Sequence, residues 1–371
     1  MKDGANMIDY LIIGSGLCGS VIARELTDRG NKCVVLEKRP VVGGNIRTDK
    51  MDEIDVHTYG AHIFRTNDKA IWEYVNQFAE FNNFINCPIA NYRGEIYNLP
   101  FNMNTFNKLW GVVTPDEAKA KIESQRVKCE NPQNLEQYVL DLVGKDIYIR
   151  LIKGYTEKQW GKECSELDKS IMRRIPLRFT YDNNYYSEKY QGVPIEGYTR
   201  LIERLLEGVE VHCGCEYTQD CKEWQERSKK VIFTGPIDEY YNYCFGKLEY
   251  RSLKFITYML TQENYQGNAV VNYTGRNVPY TRIIEHKHFT GIKTPYTVIT
   301  EEYPQKWVDG RERYYPIEDH RNLSLYHLYK EKAKTDGLIL AGRLAEYKYY
   351  DMEDTIKSAF NLVHDIERGG L

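Results

Sequence analysis

The sequence predicts an α/β fold: a parallel nucleotide-binding sheet that carries a helical insert and an antiparallel β-sheet insert. Ile8 to Ile13 (IDYLII) is a short apolar run ending in Gly14, the pattern of a buried parallel strand. Gly14-Ser15-Gly16-Leu17-Cys18-Gly19 follows, and then Val21, Ile22, Ala23 and Leu26 fall on one helical face. Two further runs of the same kind, Val231 to Gly235 (VIFTG) and Leu338 to Gly342 (LILAG), stand far along the chain. One sheet is therefore expected to draw strands from the beginning, the middle and the end of the sequence.

The elements follow in order. Gly30 closes the first helix where a left-handed cap is cheap, and Cys33 to Leu36 (CVVL) is a second strand with Glu37 directly after it. In the helical insert, Thr114-Pro115-Asp116-Glu117 is a capping box with Pro at the first helical position. Leu135, Val139 and Leu142 give another apolar face, ended by Gly144. Phe255 to Leu260 and Tyr296 to Thr300 read as antiparallel strands, and Cys213 and Cys215 as same-face residues of one strand. Asp354 to Arg368 is a final helix with Ile356, Phe360 and Val363 at helical spacing and Gly369 as its stop. The expected boundaries are 7–80, 200–245 and 316–371 for the nucleotide-binding domain and 101–175 for the helical one. Segments 81–100, 176–199 and 246–315 make the sheet domain, and residues 1–6 read as an expression remnant.

Composition narrows the function classes. The 371 residues are 42% hydrophobic with a net charge of −3, which excludes global disorder and leaves no nucleic-acid footprint. No window approaches the ~18–20 apolar residues of a membrane span. Nine Cys without a CxxC pair indicate neither a disulfide framework nor a metal site, and fit reduced thiols in a cytoplasmic protein. The 31 Tyr against 12 Phe and 5 Trp suit flat or sugar-like ligands, or reflect compositional drift.

The glycine run carries chemistry because of its context. It follows a strand, opens a helix, and has Glu37 21 positions beyond Gly16, which is the dinucleotide fingerprint of a Rossmann-like domain. Gly14, Ser15, Gly16 and Gly19 bring backbone N–H groups to a pyrophosphate at a helix N-terminus, and Glu37 accepts from ribose hydroxyls. Gly43-Gly44-Asn45-Ile46-Arg47, a few residues beyond Lys38, resembles the second glycine patch of FAD enzymes of the glutathione-reductase type, so FAD is favoured over NAD.

Five longer blocks resemble the bacterial UDP-galactopyranose mutase family: Tyr59 to Phe64 (YGAHIF), Gly154 to Gly161 (GYTEKQWG), Phe179 to Tyr186 (FTYDNNYY), Pro279 to Lys287 (PYTRIIEHK) and Gly342 to Met352 (GRLAEYKYYDM). They occur in the family's order from about residue 7 to the C-terminus. The resemblance implies an isomerase that interconverts UDP-galactopyranose and UDP-galactofuranose without net redox. In that family N5 of reduced FAD attacks the anomeric carbon and the sugar opens as a flavin iminium.

Residue by residue, the resemblance implies that Arg174 and Arg282 hold the diphosphate, although either alone would read as a surface ion pair. Tyr155, Thr156 and Trp160 match the uridine and sugar side, and Tyr185, Tyr314 and Tyr349 match phenols that reach the diphosphate. Asn82, Asn272 and Glu301 are further substrate-side matches. Arg343, Asp351 and Met352, with Gly342, mark the cofactor edge where the last strand meets the last helix, and Arg343 also faces the substrate. His62 matches the histidine beside the flavin; a hydrogen-bonded structural histidine is the alternative.

One departure stands out. Most bacterial members carry a second His where this chain has Arg65. Arg65 predicts a pocket that accepts an N-acetyl group, as in the bifunctional UDP-N-acetylgalactopyranose mutase branch of some capsule-forming bacteria, against the plain reading of a surface Arg. A loop bearing Arg174 is expected to close over the substrate. The expected assembly is a homodimer, no metal is called for, and the cellular flavin reductant is left open. The rivals are an FAD oxidoreductase of the amine-oxidase type and a silent nucleotide-sugar binding protein.

Overall fold

The computed structural model describes residues 7–172, 177–218 and 221–370. Its centre is a five-stranded, wholly parallel sheet in the order Leu338–Leu340, Ser228–Phe233, Ile8–Ile13, Cys33–Glu37, Glu210–Cys213. Ile8–Ile13 lies in the middle, with Leu11 and Ile12 fully buried, as its unbroken apolar pattern requires. The first helix, Leu17–Asp28, packs through Val21, Ile22 and Leu26 against the last helix, Met352–Glu367, and against Gly197–Leu205. The two ends of the chain therefore share one core.

A second, seven-stranded sheet faces this unit, in the order Tyr315–Pro316, Tyr250–Leu260, Thr297–Lys306, Arg282–Glu285, Val270–Tyr273, Ile89–Tyr92, Glu95–Asn98. All its pairs are antiparallel except Val270–Tyr273 with Ile89–Tyr92, which run parallel. Within 176–199, the strand Tyr190–Gly192 pairs instead with Phe64–Thr66 in a separate two-stranded ladder. The helices Met103–Trp110, Pro115–Gln125 and Leu135–Val143 enclose their own core around Phe106, Ile122 and Val139. The Thr114–Glu117 capping box forms as the sequence requires.

Two sequence expectations are corrected. The buried stripe of Leu135–Val143 is Leu135, Val139 and Val143, at i, i+4 and i+8, and Leu142 points outward. Gly144 still ends that helix. Cys213 and Cys215 do not share a strand face, because the strand ends at Cys213 and Gly214 turns the chain at φ 70°. No helix among the described residues is long and apolar enough to cross a membrane.

Candidate active site

The loops at the C-terminal edge of the parallel sheet build the first half of the site, where ligands of such sheets bind. Gly14 turns at φ 103°, and Gly16 caps the first helix with no side chain in the way. Gly44, at φ 54°, lies against it: a Cβ on Gly44 would come within 2.7 Å of Gly16 Cα. Two glycine-bearing turns thus meet backbone to backbone, joined by the Gly43 N–H donating to Ser15 O (3.1 Å), and both line the cleft. Glu37 is buried and accepts at Oε2 from Ser15 N (2.9 Å) and Ser15 Oγ (2.8 Å), and at Oε1 from Arg39 N (2.9 Å). Ser15 is thereby spent on Glu37 and does not line the cleft.

The cleft runs from Glu37 and Lys38 past Gly14, Gly16, Gly19, Gly44 and Asn45. It continues to His62, Gly342, Arg343, Asp351 and Met352. Asp351 caps the last helix by accepting from Asp354 N (2.9 Å), so the positive end of that helix closes the cleft. A cleft that runs from Glu37 past the paired glycine turns to Met352 fits an extended dinucleotide such as FAD.

His62 rests on two other histidines. Its backbone N–H donates to His57 Nδ1 (3.0 Å), and the His57 N–H donates to His286 Nδ1 (3.2 Å). Both rings are therefore bare at Nδ1, and His286 Nε2 donates to Thr300 Oγ1 (2.7 Å). The His62 ring is the reverse tautomer: its Nδ1 lies 2.7 Å from Gly60 O, which can only accept, so Nε2 is left as an acceptor. Burial pushes His62 down to about 4 and His286 to about 3, so each is neutral near pH 7.

The second half of the site comes from the seven-stranded sheet. Arg282 Nε lies 3.0 Å from Glu302 Oε1 as an ion pair, and its Nη2 donates to Tyr155 OH (3.3 Å). Burial opposes the charge on Arg282, but Glu302 and the nearby phenols outweigh it and hold the guanidinium charged. Tyr185 and Tyr186 are half-buried beside Arg282 and Arg65, and Tyr315 beside Glu302, Tyr349, Arg282 and Arg343. Arg343 donates to Tyr314 O (3.3 Å) and Tyr350 O, and sits 5.3 Å over the Tyr349 ring. Arg65 donates to Glu188 and to Asp351 Oδ2 (2.9 Å), with its guanidinium 4.7 Å above the Tyr186 ring.

Several expected residues stand elsewhere. Glu301 is paired with Ile283 on the far face of the sheet, where it accepts from Tyr303 OH (2.6 Å); Glu302 is the carboxylate beside Arg282. Tyr314 is 4% exposed, packs on Tyr59 and Phe255, and its phenol feels Glu312 and Arg39, whereas Tyr315 faces Arg282. Asn82 is spent on backbone, donating to Phe289 O (2.8 Å) and accepting from Phe84 N and Val193 N (both 3.0 Å). Thr156 is buried, and Trp160 packs against the helical core. Asn272 lies directly across the strand pair from Arg282, its Oδ1 buried without a partner among the described residues. Arg174 lies outside the described residues. Sequence reasoning missed Glu302, Tyr315, Tyr186 and Arg39; the last lines the cleft with its guanidinium 4.6 Å over Tyr59.

Fold and site together define a dinucleotide-dependent enzyme whose cofactor channel opens onto a tyrosine-lined pocket with a half-buried arginine at its base. A Rossmann-like NAD(P)-binding domain model matches residues 12–78, and the UDP-galactopyranose mutase model matches residues 150–349. The chain is 38% identical over 362 residues to a Klebsiella pneumoniae protein named "Probable UDP-galactopyranose mutase", covering 95% of this chain and 93% of that one. It is equally 38% identical over 365 residues to the dTDP-fucopyranose mutase of Escherichia coli, covering 95% and 97%. A crystal structure of reduced UDP-galactopyranose mutase shares the fold with a TM-score of 0.76 at 14% identity, over 97% of this chain and 93% of that one. The chain belongs to the UDP-galactopyranose mutase family, a family of FAD-dependent isomerases.

Proposed function

We propose that this enzyme interconverts the pyranose and furanose forms of UDP-galactose and also accepts UDP-N-acetylgalactosamine. The observation that carries the reading is the Arg282 guanidinium, half-buried, balanced by the single carboxylate of Glu302, and ringed by Tyr155, Tyr185, Tyr186 and Tyr315 at the end of the cofactor channel. A leaving diphosphate develops about two negative charges, and a preorganised guanidinium in a partly dry site stabilises that charge without reorganising. Reduced FAD, when bound, supplies the nucleophile for the anomeric carbon. The protein's share is to hold the diphosphate on Arg282 and, in this reading, Arg174, while the phenols cover the sugar and exclude water. His62 lines the cofactor channel with Nε2 as its unprotonated nitrogen and takes no proton near neutrality.

Arg65 supports the N-acetyl reading. Its guanidinium is anchored by Glu188 and Asp351 and stacked on Tyr186, with donors to spare for an acetamido carbonyl. The test is chromatography of products from UDP-Gal, UDP-GalNAc and dTDP-fucose, with dithionite-reduced and oxidised enzyme in parallel. Turnover of the two UDP sugars only after reduction is the expected result, with UDP-GalNAc turnover lost in Arg65→His. Selectivity unchanged in that variant removes the N-acetyl assignment. Exclusive turnover of dTDP-fucose would move the enzyme to the specificity of its E. coli relative. The same reading makes the enzyme a cytoplasmic homodimer that supplies furanose units to a surface polysaccharide, which sedimentation and fractionation test.

A further inference from the structure

Building on the nucleotide reading of the Arg282 pocket, we infer that Lys158 is a positioning residue: it fixes Arg282 through the 273–281 turn and touches no substrate. Arg282 opens its strand immediately after this turn, which returns from Val270–Tyr273. Ladder pairing between the two strands stops at Asn272 and Arg282, followed by one more backbone bond from Tyr273 N to Thr281 O (2.8 Å), so the rest of the turn is held by other groups. Lys158 supplies much of that hold. Its Nζ donates to Tyr273 O (2.8 Å), Val278 O (3.3 Å) and Tyr280 O (2.7 Å), which uses all three ammonium hydrogens on carbonyls of the turn. The last of these carbonyls lies two residues from Arg282.

The origin of the lysine makes this more than a loop anchor. Lys158 belongs to the helix Gly154–Trp160, which also carries Tyr155, the phenol that receives Arg282 Nη2 (3.3 Å). One helix thus holds the arginine's side chain through Tyr155 and the chain two residues before it through Lys158. Further contacts lock helix and turn together. Thr274 Oγ1 donates to Arg150 O (2.6 Å), and Arg276 pairs with Glu157 (3.1 Å). Gly154 is so close that a Cβ there would meet Thr274 O at 2.5 Å. No carboxylate pairs with Lys158 among the described residues, and burial pushes its ammonium down to about 8. A charge held by backbone dipoles alone is costly to keep, and a compact ammonium matches three converging carbonyls where a planar guanidinium does not.

The test compares holoenzyme of wild type, Lys158→Met, Lys158→Arg and Thr274→Val by amide exchange without ligand, by UDP affinity, and by kcat and KM. Lys158→Met is expected to speed exchange across 273–283 by about tenfold and leave 8–13 unchanged. It should weaken UDP and raise KM by about tenfold, with kcat within about threefold. Lys158→Arg should fail to restore either, and Thr274→Val should move both in the same direction by about threefold. Unchanged exchange in both Lys158→Met and Thr274→Val overturns the positioning role. So does weakened UDP binding with unchanged exchange, which would mean direct contact, and faster exchange with undiminished UDP affinity, which would mean a structural role only. Wild-type enzyme that binds no UDP defeats the nucleotide reading itself, independently of the exchange result.

Discussion

Replacing Glu302 by Gln removes a charge and almost no volume, and the pocket predicts opposite effects on the free and the liganded protein. Glu302 is 2% exposed, pairs with Arg282 at 3.0 Å and accepts from Thr281 Oγ1 at 3.2 Å. Opposite unit charges about 4 Å apart attract by about 4 kcal/mol at an effective dielectric constant of ~20. Because Gln retains an acceptor for Thr281, the loss should fall at the low end of the ~3–5 kcal/mol for breaking a buried pair, about 3 kcal/mol. With an unfolding entropy of ~2.1 cal/mol/K per residue, that lowers Tm by about 4 °C in a chain of this length. UDP should then act in the other direction. The diphosphate meets a guanidinium with no competing carboxylate, so the variant should bind UDP about tenfold more tightly, worth ~1.4 kcal/mol, and release it more slowly. The assay is thermal unfolding of holoenzyme with and without saturating UDP. A Glu302→Gln protein that melts with wild type, or that gains less from UDP than wild type does, refutes this account of Arg282.

Arg282→Ala and Arg174→Ala should each lower kcat/KM by about a hundredfold or more, and Arg282→Lys should recover little of it, since a point charge replaces a fork; steady-state kinetics on the reduced enzyme decide. Glu285, although burial pushes its pKa up, is brought down to about 2 by His288, by the N–H groups of Gln266 (2.9 Å) and Tyr265 (2.7 Å), and by Thr297 Oγ1 (2.9 Å). A depressed carboxylate stabilises fully above its unfolded value of ~4.3 and loses that contribution as pH falls toward 2, so urea midpoints should drop over this window in wild type and less in Glu285→Gln, which should cost about 2 kcal/mol at pH 7. His62, held neutral by burial with its folded value at about 4, should give kcat/KM no inflection between pH 5.5 and 8. A break there that vanishes in His62→Asn would contradict its assignment as an acceptor.

What was legible in the sequence was what local backbone chemistry determines. Gly14 and Gly44 announce themselves because they turn at positive φ, and Gly19 because a Cβ there would collide with Gly14 O. The capping box at Thr114 and the final helix likewise need no distant partner. The residues that slipped are those whose facing is decided by strand pairing. Glu301-Glu302 and Tyr314-Tyr315 are pairs of identical residues, so a motif matches either member equally well. Only the pairing of Glu302 with Arg282, and of Tyr315 with Arg251, selects which one looks into the pocket. A slip of one residue exchanges the two faces of a strand. Asn82 was illegible for another reason: its amide is claimed by Phe84, Val193 and Phe289, the last two far away in sequence.

The order of strands in the parallel sheet carries a consequence for biogenesis. Ile8–Ile13 and Cys33–Glu37 leave the ribosome early, yet Ser228–Phe233 borders Ile8–Ile13, and Leu338–Leu340 closes that side. At ~5–20 residues per second, the first βαβ unit waits about 15–60 s for the strand that completes its sheet. During that time its apolar edge is open and the helix that shields the first one, Met352–Glu367, does not yet exist. Cofactor capture is therefore a late event, possible only once the chain is nearly finished, and FAD supplied during refolding should act on the last kinetic phase and leave the first unchanged.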